Sequence, residues 1–139
     1  MRNFLVPEFA VSDWQESKRF YCDLLGFECV YERPEEGFCF LRREGAELTI
    51  AQIGMGRTLD NGDGPWVGPL GRGAKIMIEV SQVQPLVSAL KDAGLSLFLE
   101  PEEKWYRQND RETQVLQFVV ADPDGYLLRF CETLGFRKI

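Results

Sequence analysis

The chain has 139 residues, a formal net charge of −6, and 45% hydrophobic and 27% charged residues. This length and composition predict one globular domain, or two small halves packed together, and argue against wholesale disorder. The acidic balance disfavours non-specific nucleic-acid binding, which needs a basic surface, and no apolar run approaches the roughly 20 residues that cross a bilayer. We therefore expect neither a nucleic-acid nor a membrane partner.

Histidine is absent and cysteine occurs four times, at Cys22, Cys29, Cys39 and Cys131. Without histidine, the Ser-His-Asp triad, the Cys-His pair and every histidine-ligated metal site are excluded. The N-terminus shows no signal-peptide pattern, so we expect a cytoplasmic protein. The cysteines are then predicted to be reduced thiols that act as small apolar core residues.

In the first half, residues 4–11 predict a strand that Pro7 places at an edge or a bend. Asp13 is predicted to cap a helix that ends at Gly26. Turn residues then separate short apolar runs. These runs predict strands over residues 27–31, 38–41 and 48–53.

Residues 54–73 are rich in glycine and predict a linker. After it, residues 74–80 predict a strand, and Ser81 is predicted to cap a helix with Pro85 in its first turn. Residues 95–99 predict another strand, and the charged residues 100–112 an irregular segment. The residues from Asp122 to Gly125 predict the turn of a hairpin. Its two strands are expected over residues 115–121 and 126–132.

The order strand, helix, strand, strand, strand therefore occurs twice. We predict an α+β fold of two βαβββ modules in one domain, with module 1 at about residues 1–53, the linker at about 54–73 and module 2 at about 74–139. One such half has little core for its size, which favours two halves that share one cleft.

The chain resembles the vicinal oxygen chelate superfamily, which includes glyoxalase I, extradiol dioxygenases and the bleomycin resistance proteins. The resemblance is carried by residues 11–27, 46–49, 73–80 and 122–126, and it is strongest to the bleomycin resistance branch. It implies curved sheets that line a ligand cleft, often in a homodimer. Metal-dependent members hold an ion with four His, Glu or Gln residues.

Those four positions carry over to Val6, Glu47, Lys75 and Arg129. Glu47 can donate an oxygen, whereas valine offers no lone pair and the two cations repel a metal. The resemblance therefore implies no metal, no cofactor and no metal-assisted catalysis. We expect Glu47 to pair with Lys75 and Arg129 where other members hold the ion, either to contact a ligand or to hold the sheets in register.

Bleomycin resistance proteins sequester a flat cationic drug on aromatic side chains. The aromatic candidates here are Phe38, Phe40, Trp66, Trp105 and Tyr106, and the two tryptophans are favoured because irregular polar segments are predicted around them. A Pro-Trp-Gly motif of the drug-binding members is replaced by Thr113, Gln114 and Val115. The predicted ligand-binding residues are Glu47, Lys75, Arg129, Phe38, Trp66, Trp105 and Tyr106.

The sequence thus favours a binding protein that sequesters a small cationic or aromatic organic ligand, such as a bleomycin-type drug, in a dimer cleft. One alternative is an enzyme of the same superfamily, with Glu47, Glu79, Tyr106 or a cysteine as the reactive group. Another is a dimeric interaction domain whose cleft is vestigial.

Overall fold

A computed structural model describes residues 3–139. The chain folds into two compact units. Unit 1 holds the described residues up to Gly73 together with Asp122–Tyr126, and unit 2 holds Ala74–Ala121 and Leu127–Ile139. Among residues 3–139, no helix has the length and apolar character needed to cross a membrane.

Unit 1 has the order βαβββ. Its elements are β1 (Glu8–Val11), α1 (Trp14–Arg19), β2 (Glu28–Arg33), β3 (Phe38–Arg43) and β4 (Ala46–Gln52). The sheet order is β1-β4-β3-β2, with β1 parallel to β4 and the other pairs antiparallel. Strand β1 is shorter than predicted, because the pairing begins after Pro7, whose carbonyl accepts from the Thr49 N–H at 2.9 Å.

Helix α1 begins where the sequence predicts. The Asp13 carboxylate accepts hydrogen bonds from the N–H groups of Gln15 and Glu16, which satisfies free donors of the first turn. The helix continues as a π-helical turn over Phe20–Leu24. The chain then leaves the helix at Gly26, whose φ of +73° favours glycine.

Unit 2 repeats the order. Its elements are β5 (Lys75–Glu79), α2 (Gln84–Asp92), β6 (Leu99–Gln108), β7 (Arg111–Ala121) and β8 (Leu127–Lys138). The sheet order, β5-β8-β7-β6, matches that of unit 1 position for position. The predicted α+β fold with two βαβββ modules is therefore confirmed.

Three local predictions in unit 2 are wrong. Residues 95–98 are not in a strand, and the charged segment from residue 100 onward is the body of β6 and the start of β7 rather than irregular. Ser81 does not cap α2, because the helix starts at Gln84 and its N-cap residue is Val83, whose N–H donates to the Glu132 carboxylate at 3.0 Å. Pro85 does lie in the first turn of α2, as predicted.

The predicted turn between β7 and β8 is confirmed and belongs to unit 1. The buried Asp122 carboxylate accepts from the Tyr21 hydroxyl at 2.6 Å and from the N–H groups of Asp124 and Tyr126 at 2.9 Å each. Tyr126 in turn donates to the Ala10 carbonyl at 2.8 Å and stacks on Phe9. Burial raises the pKa of Asp122 and, together with the adjacent carboxyl, the pKa of Tyr21.

Candidate functional site

Each sheet has one face toward its own helix and one face away from it. In unit 1, Glu32 of β2 binds Lys18 of α1, so the side chains that alternate with Glu32 point to the other face. In unit 2, Glu132 of β8 binds the start of α2, so Arg129 and Cys131 lie on the other face. These two faces carry most of the predicted site residues, and we call them face 1 and face 2.

Face 1 carries a strip of stacked aromatic rings. The Tyr31 ring lies 5.2 Å from that of Phe40 and 5.9 Å from that of Phe38, with small interplanar angles. The Arg33 guanidinium lies 3.9 Å above the Phe38 ring. Tyr31 is 46% exposed, so this strip presents an accessible ring for stacking.

A cavity of about 320 Å³ adjoins the aromatic strip within unit 1. Its walls combine apolar groups with charges of both signs, and Arg33 there is paired with Glu36 at 3.0 Å. Its lining residues include Phe38, Ala51, Leu59, Glu8, Arg33 and Arg57. Such a mixture suits an organic ligand that has a flat apolar part and polar edges.

Glu47 is buried on face 1 and has a partner that the sequence analysis missed. One carboxylate oxygen accepts from two guanidinium nitrogens of Arg42, at 2.9 and 2.7 Å, and the other accepts from the Asn3 N–H at 2.7 Å. Arg42 lies directly opposite Glu47 in the β3-β4 pairing. That register is the signal that could have identified the pair, since a short hairpin sets which residues face each other.

The metal that the superfamily implies does not fit these residues. The Glu47 carboxylate already faces a guanidinium, whose charge a divalent ion would have to displace. Arg129 is a permanent cation, Lys75 is a cation on an exposed strand residue, and Val6 has no donor atom. One carboxylate is too few ligands to hold zinc or iron.

Face 2 contains buried polar atoms without partners. Gln117 is 2% exposed, and its amide nitrogen donates to the Tyr106 hydroxyl at 2.7 Å and to Glu102 at 3.0 Å. Its Oε1 atom has no hydrogen-bond partner among residues 3–139. Nε of Arg129 also has no hydrogen-bond partner among residues 3–139. The Arg129 guanidinium lies 5.8 Å from the centre of the Tyr106 ring.

The remaining predicted residues are dispersed. Lys75 is exposed on β5 of unit 2, and Trp66 lies in the 54–73 loop with 41% exposure. Trp105 lies on β6, not in an irregular segment as predicted, with the Arg137 guanidinium 3.9 Å over its ring. It alternates with Tyr106 and so belongs to the opposite face of the sheet. The expected pairing of Glu47 with Lys75 and Arg129 stays a prediction.

Residues 4–130 match the model of the glyoxalase/bleomycin resistance protein/dioxygenase superfamily. The chain belongs to this superfamily. It is 28% identical to the bleomycin resistance protein of Geobacillus stearothermophilus over 138 residues, covering 93% of this chain and 96% of the relative. A bleomycin resistance protein of Staphylococcus aureus matches with the same identity and coverage.

Two solved structures with low sequence identity show the same fold. TioX from Micromonospora sp. ML1 has a TM-score of 0.71 at 18% identity, covering 95% of this chain and all of TioX. A virulence protein from Salmonella typhimurium has a TM-score of 0.68 at 21% identity, covering 96% of this chain and 98% of that protein. These likenesses establish the superfamily fold.

Proposed function

We propose that this protein is a cytoplasmic, homodimeric binding protein that sequesters a small cationic or aromatic organic ligand, of the bleomycin type, without metal catalysis. Its similarity to bleomycin resistance proteins along almost the whole chain supports this proposal. The charge of −6 favours encounter with cationic molecules. The four free cysteines suit a reducing compartment.

The observation that carries the proposal is the pair of unsatisfied polar atoms on face 2. A buried polar atom without a hydrogen bond costs about 1–3 kcal/mol, so a ligand group that pairs with such an atom would gain affinity. Oε1 of Gln117 would accept from a ligand N–H group, and Nε of Arg129 would donate to a ligand oxygen or nitrogen. An amide or amino-heterocycle offers both groups.

Within unit 1, face 1 by itself offers an apolar contact surface for a ligand. The aromatic strip of Tyr31, Phe40 and Phe38 would stack on a planar ring system, and Glu8 beside it would attract a positive substituent. Glu47 has its charge neutralised by Arg42. This favours a positioning role for Glu47 over a role as a base or a metal ligand.

The test is a thermal-shift and calorimetric screen of the purified protein against bleomycin, other cationic aromatic compounds and divalent metals. A ligand that binds the folded state raises the melting temperature. We expect a shift with at least one organic compound. Stabilisation by metals but by no organic compound would overturn the proposal, and no shift with any compound would favour the interaction-domain alternative.

A matched pair of variants ties the ligand to face 2. Gln117→Leu removes the amide at similar volume, and we expect at least a tenfold loss of affinity, which corresponds to about 1.4 kcal/mol. Gln114→Leu is the control, because Gln114 lies on the same strand but three residues away and binds Glu103. Equal affinities of the two variants would refute the role of face 2. Light scattering of the free protein tests the homodimer.

A further inference from the structure

The helix side of the unit 1 sheet holds two cysteines in unusually close contact. Sγ of Cys29 lies 2.9 Å from Sγ of Cys39. The two residues lie on neighbouring antiparallel strands, β2 and β3. Among residues 3–139, the grouped donor atoms that could hold a metal are those of Cys29, Cys39 and Glu32.

A β-bulge creates this arrangement. Cys29 pairs with Leu41 and Tyr31 pairs with Phe40, so Val30 is an extra residue in β2. The bulge shifts the alternation of side chains by one residue. Cys29 and Glu32, three residues apart, therefore lie on the same face as Cys39, while Tyr31 turns to face 1.

The cluster does not suit a metal ion. Glu32 is already bound by the Lys18 ammonium at 2.7 Å, whose positive charge repels a cation. The described residues also group only three donor atoms here, one fewer than the four ligands of a structural zinc site.

We propose that Cys29 and Cys39 form a reversible intramolecular disulfide, with a low-molecular-weight disulfide as the oxidant. Cys29 is partly exposed and reacts first, whereas Cys39 is fully buried and acts second. Burial and the contact with Cys29 raise the pKa of Cys39, which fits the second role. The nearby Lys18 ammonium acts against this rise in the pKa of Cys39.

The Cys29 thiolate attacks one sulfur of the small disulfide, breaks its S–S bond and releases one thiolate, which takes up the proton that Cys29 lost. The Cys39 sulfur then attacks the Cys29 sulfur of the mixed disulfide and releases the second small thiolate, which takes up the Cys39 proton. Two protein thiols are oxidised and one small disulfide is reduced to two thiols.

Oxidation would tie the bulged strand β2 to β3. The same strands carry Tyr31, Phe38 and Phe40 on face 1. The covalent link would therefore hold the aromatic strip in place. It would also close a short loop, which lowers the conformational entropy of the unfolded chain and so stabilises the folded state. We expect the oxidised protein to melt at a higher temperature than the reduced protein.

The experiment treats the reduced full-length protein with glutathione disulfide and counts free thiols after denaturation. Free thiols should fall from four to two per chain, and peptide mapping should link Cys29 to Cys39. Cys39→Ser should stop at a glutathione adduct on Cys29, and Cys29→Ser should leave Cys39 unreacted. The control Cys131→Ser should still form the link.

Several results would overturn the proposal. These are four thiols that persist in excess oxidant, a link through Cys22 or Cys131, or a disulfide between two chains on a non-reducing gel. A parallel experiment with zinc tests the alternative of a metal site. Zinc added before the oxidant should give no protection, and stoichiometric zinc held by the two thiols would replace the proposed disulfide with a metal site. Mapping of the unmodified protein keeps the test valid if a serine variant fails to fold.

Discussion

Replacing Tyr21 by phenylalanine removes one hydroxyl from the interior of unit 1. Tyr21 is fully buried, and its hydroxyl donates to Asp122 at 2.6 Å. In Tyr21→Phe the buried carboxyl keeps its two backbone N–H donors but loses the side-chain donor. A hydrogen bond to a charged group contributes about 1.5–3 kcal/mol, so we expect a loss of unfolding free energy of that size.

The corresponding change in melting temperature follows from chain length. Unfolding entropy is roughly 2.1 cal/mol/K per residue, which gives about 0.3 kcal/mol/K for this chain and a predicted drop of roughly 5–10 °C. Differential scanning calorimetry and urea unfolding at pH 7 measure both quantities. Tyr31→Phe is the matched control, because Tyr31 is 46% exposed and water can replace a partner that its hydroxyl loses.

The reasoning fails if Tyr21→Phe and Tyr31→Phe melt within a degree of each other. A double-mutant cycle with Asp122→Asn gives a second check. If the hydroxyl and the carboxyl act as a pair, the double variant should lose less stability than the two single losses added together. Strict additivity would show that Tyr21 stabilises the fold through ring packing and not through this hydrogen bond.

Three further predictions concern other parts of the fold. The raised pKa of Asp122 means that folding favours the protonated form of this carboxyl. The contribution of Asp122 to the free energy of unfolding is therefore complete below the unfolded pKa of about 3.9, and it is lost as pH rises through the higher pKa of the folded state. Asp122→Asn should therefore flatten this decline of stability with pH, and an unchanged slope in urea unfolding would contradict it. Gly71→Ala should destabilise unit 1 by about 1–3 kcal/mol, since an added Cβ would lie 2.4 Å from Cα of Tyr126; a neutral effect in calorimetry would refute that contact. Glu132→Ala should lower unfolding free energy by about 1 kcal/mol, as does loss of a helix cap, because the Val83 N–H loses its acceptor; amide exchange at Val83 should rise, and unaltered protection would count against the cap.

The elements that follow from the sequence are those set by neighbours along the chain. Asp13 caps a helix through N–H groups two and three residues away, and the turn at Asp122 depends on a proline and a glycine within four residues. Both were predictable for that reason. Ser81 failed as a cap because the acceptor for the α2 start is Glu132, about fifty residues away. No local pattern encodes that contact.

The candidate site was predicted less completely. Phe38 and Tyr106 were named, and each has a neighbouring group that suits ligand contact. Gln117 was missed because a buried amide looks like any other polar residue until its unsatisfied oxygen is seen. Strand β6 was missed because its charged residues give no alternation of apolar and polar side chains, which is the usual signal of a strand.

The turn that places Asp122 and Tyr126 inside unit 1 has a consequence for synthesis on the ribosome. The acceptor for the buried Tyr21 hydroxyl is translated 101 residues after Tyr21, and the ring that stacks on Phe9 follows shortly after that acceptor. A nascent chain that has emerged as far as Gly73 holds the strands of unit 1 but not these late partners. Completion of the first unit must therefore wait until translation has passed residue 126.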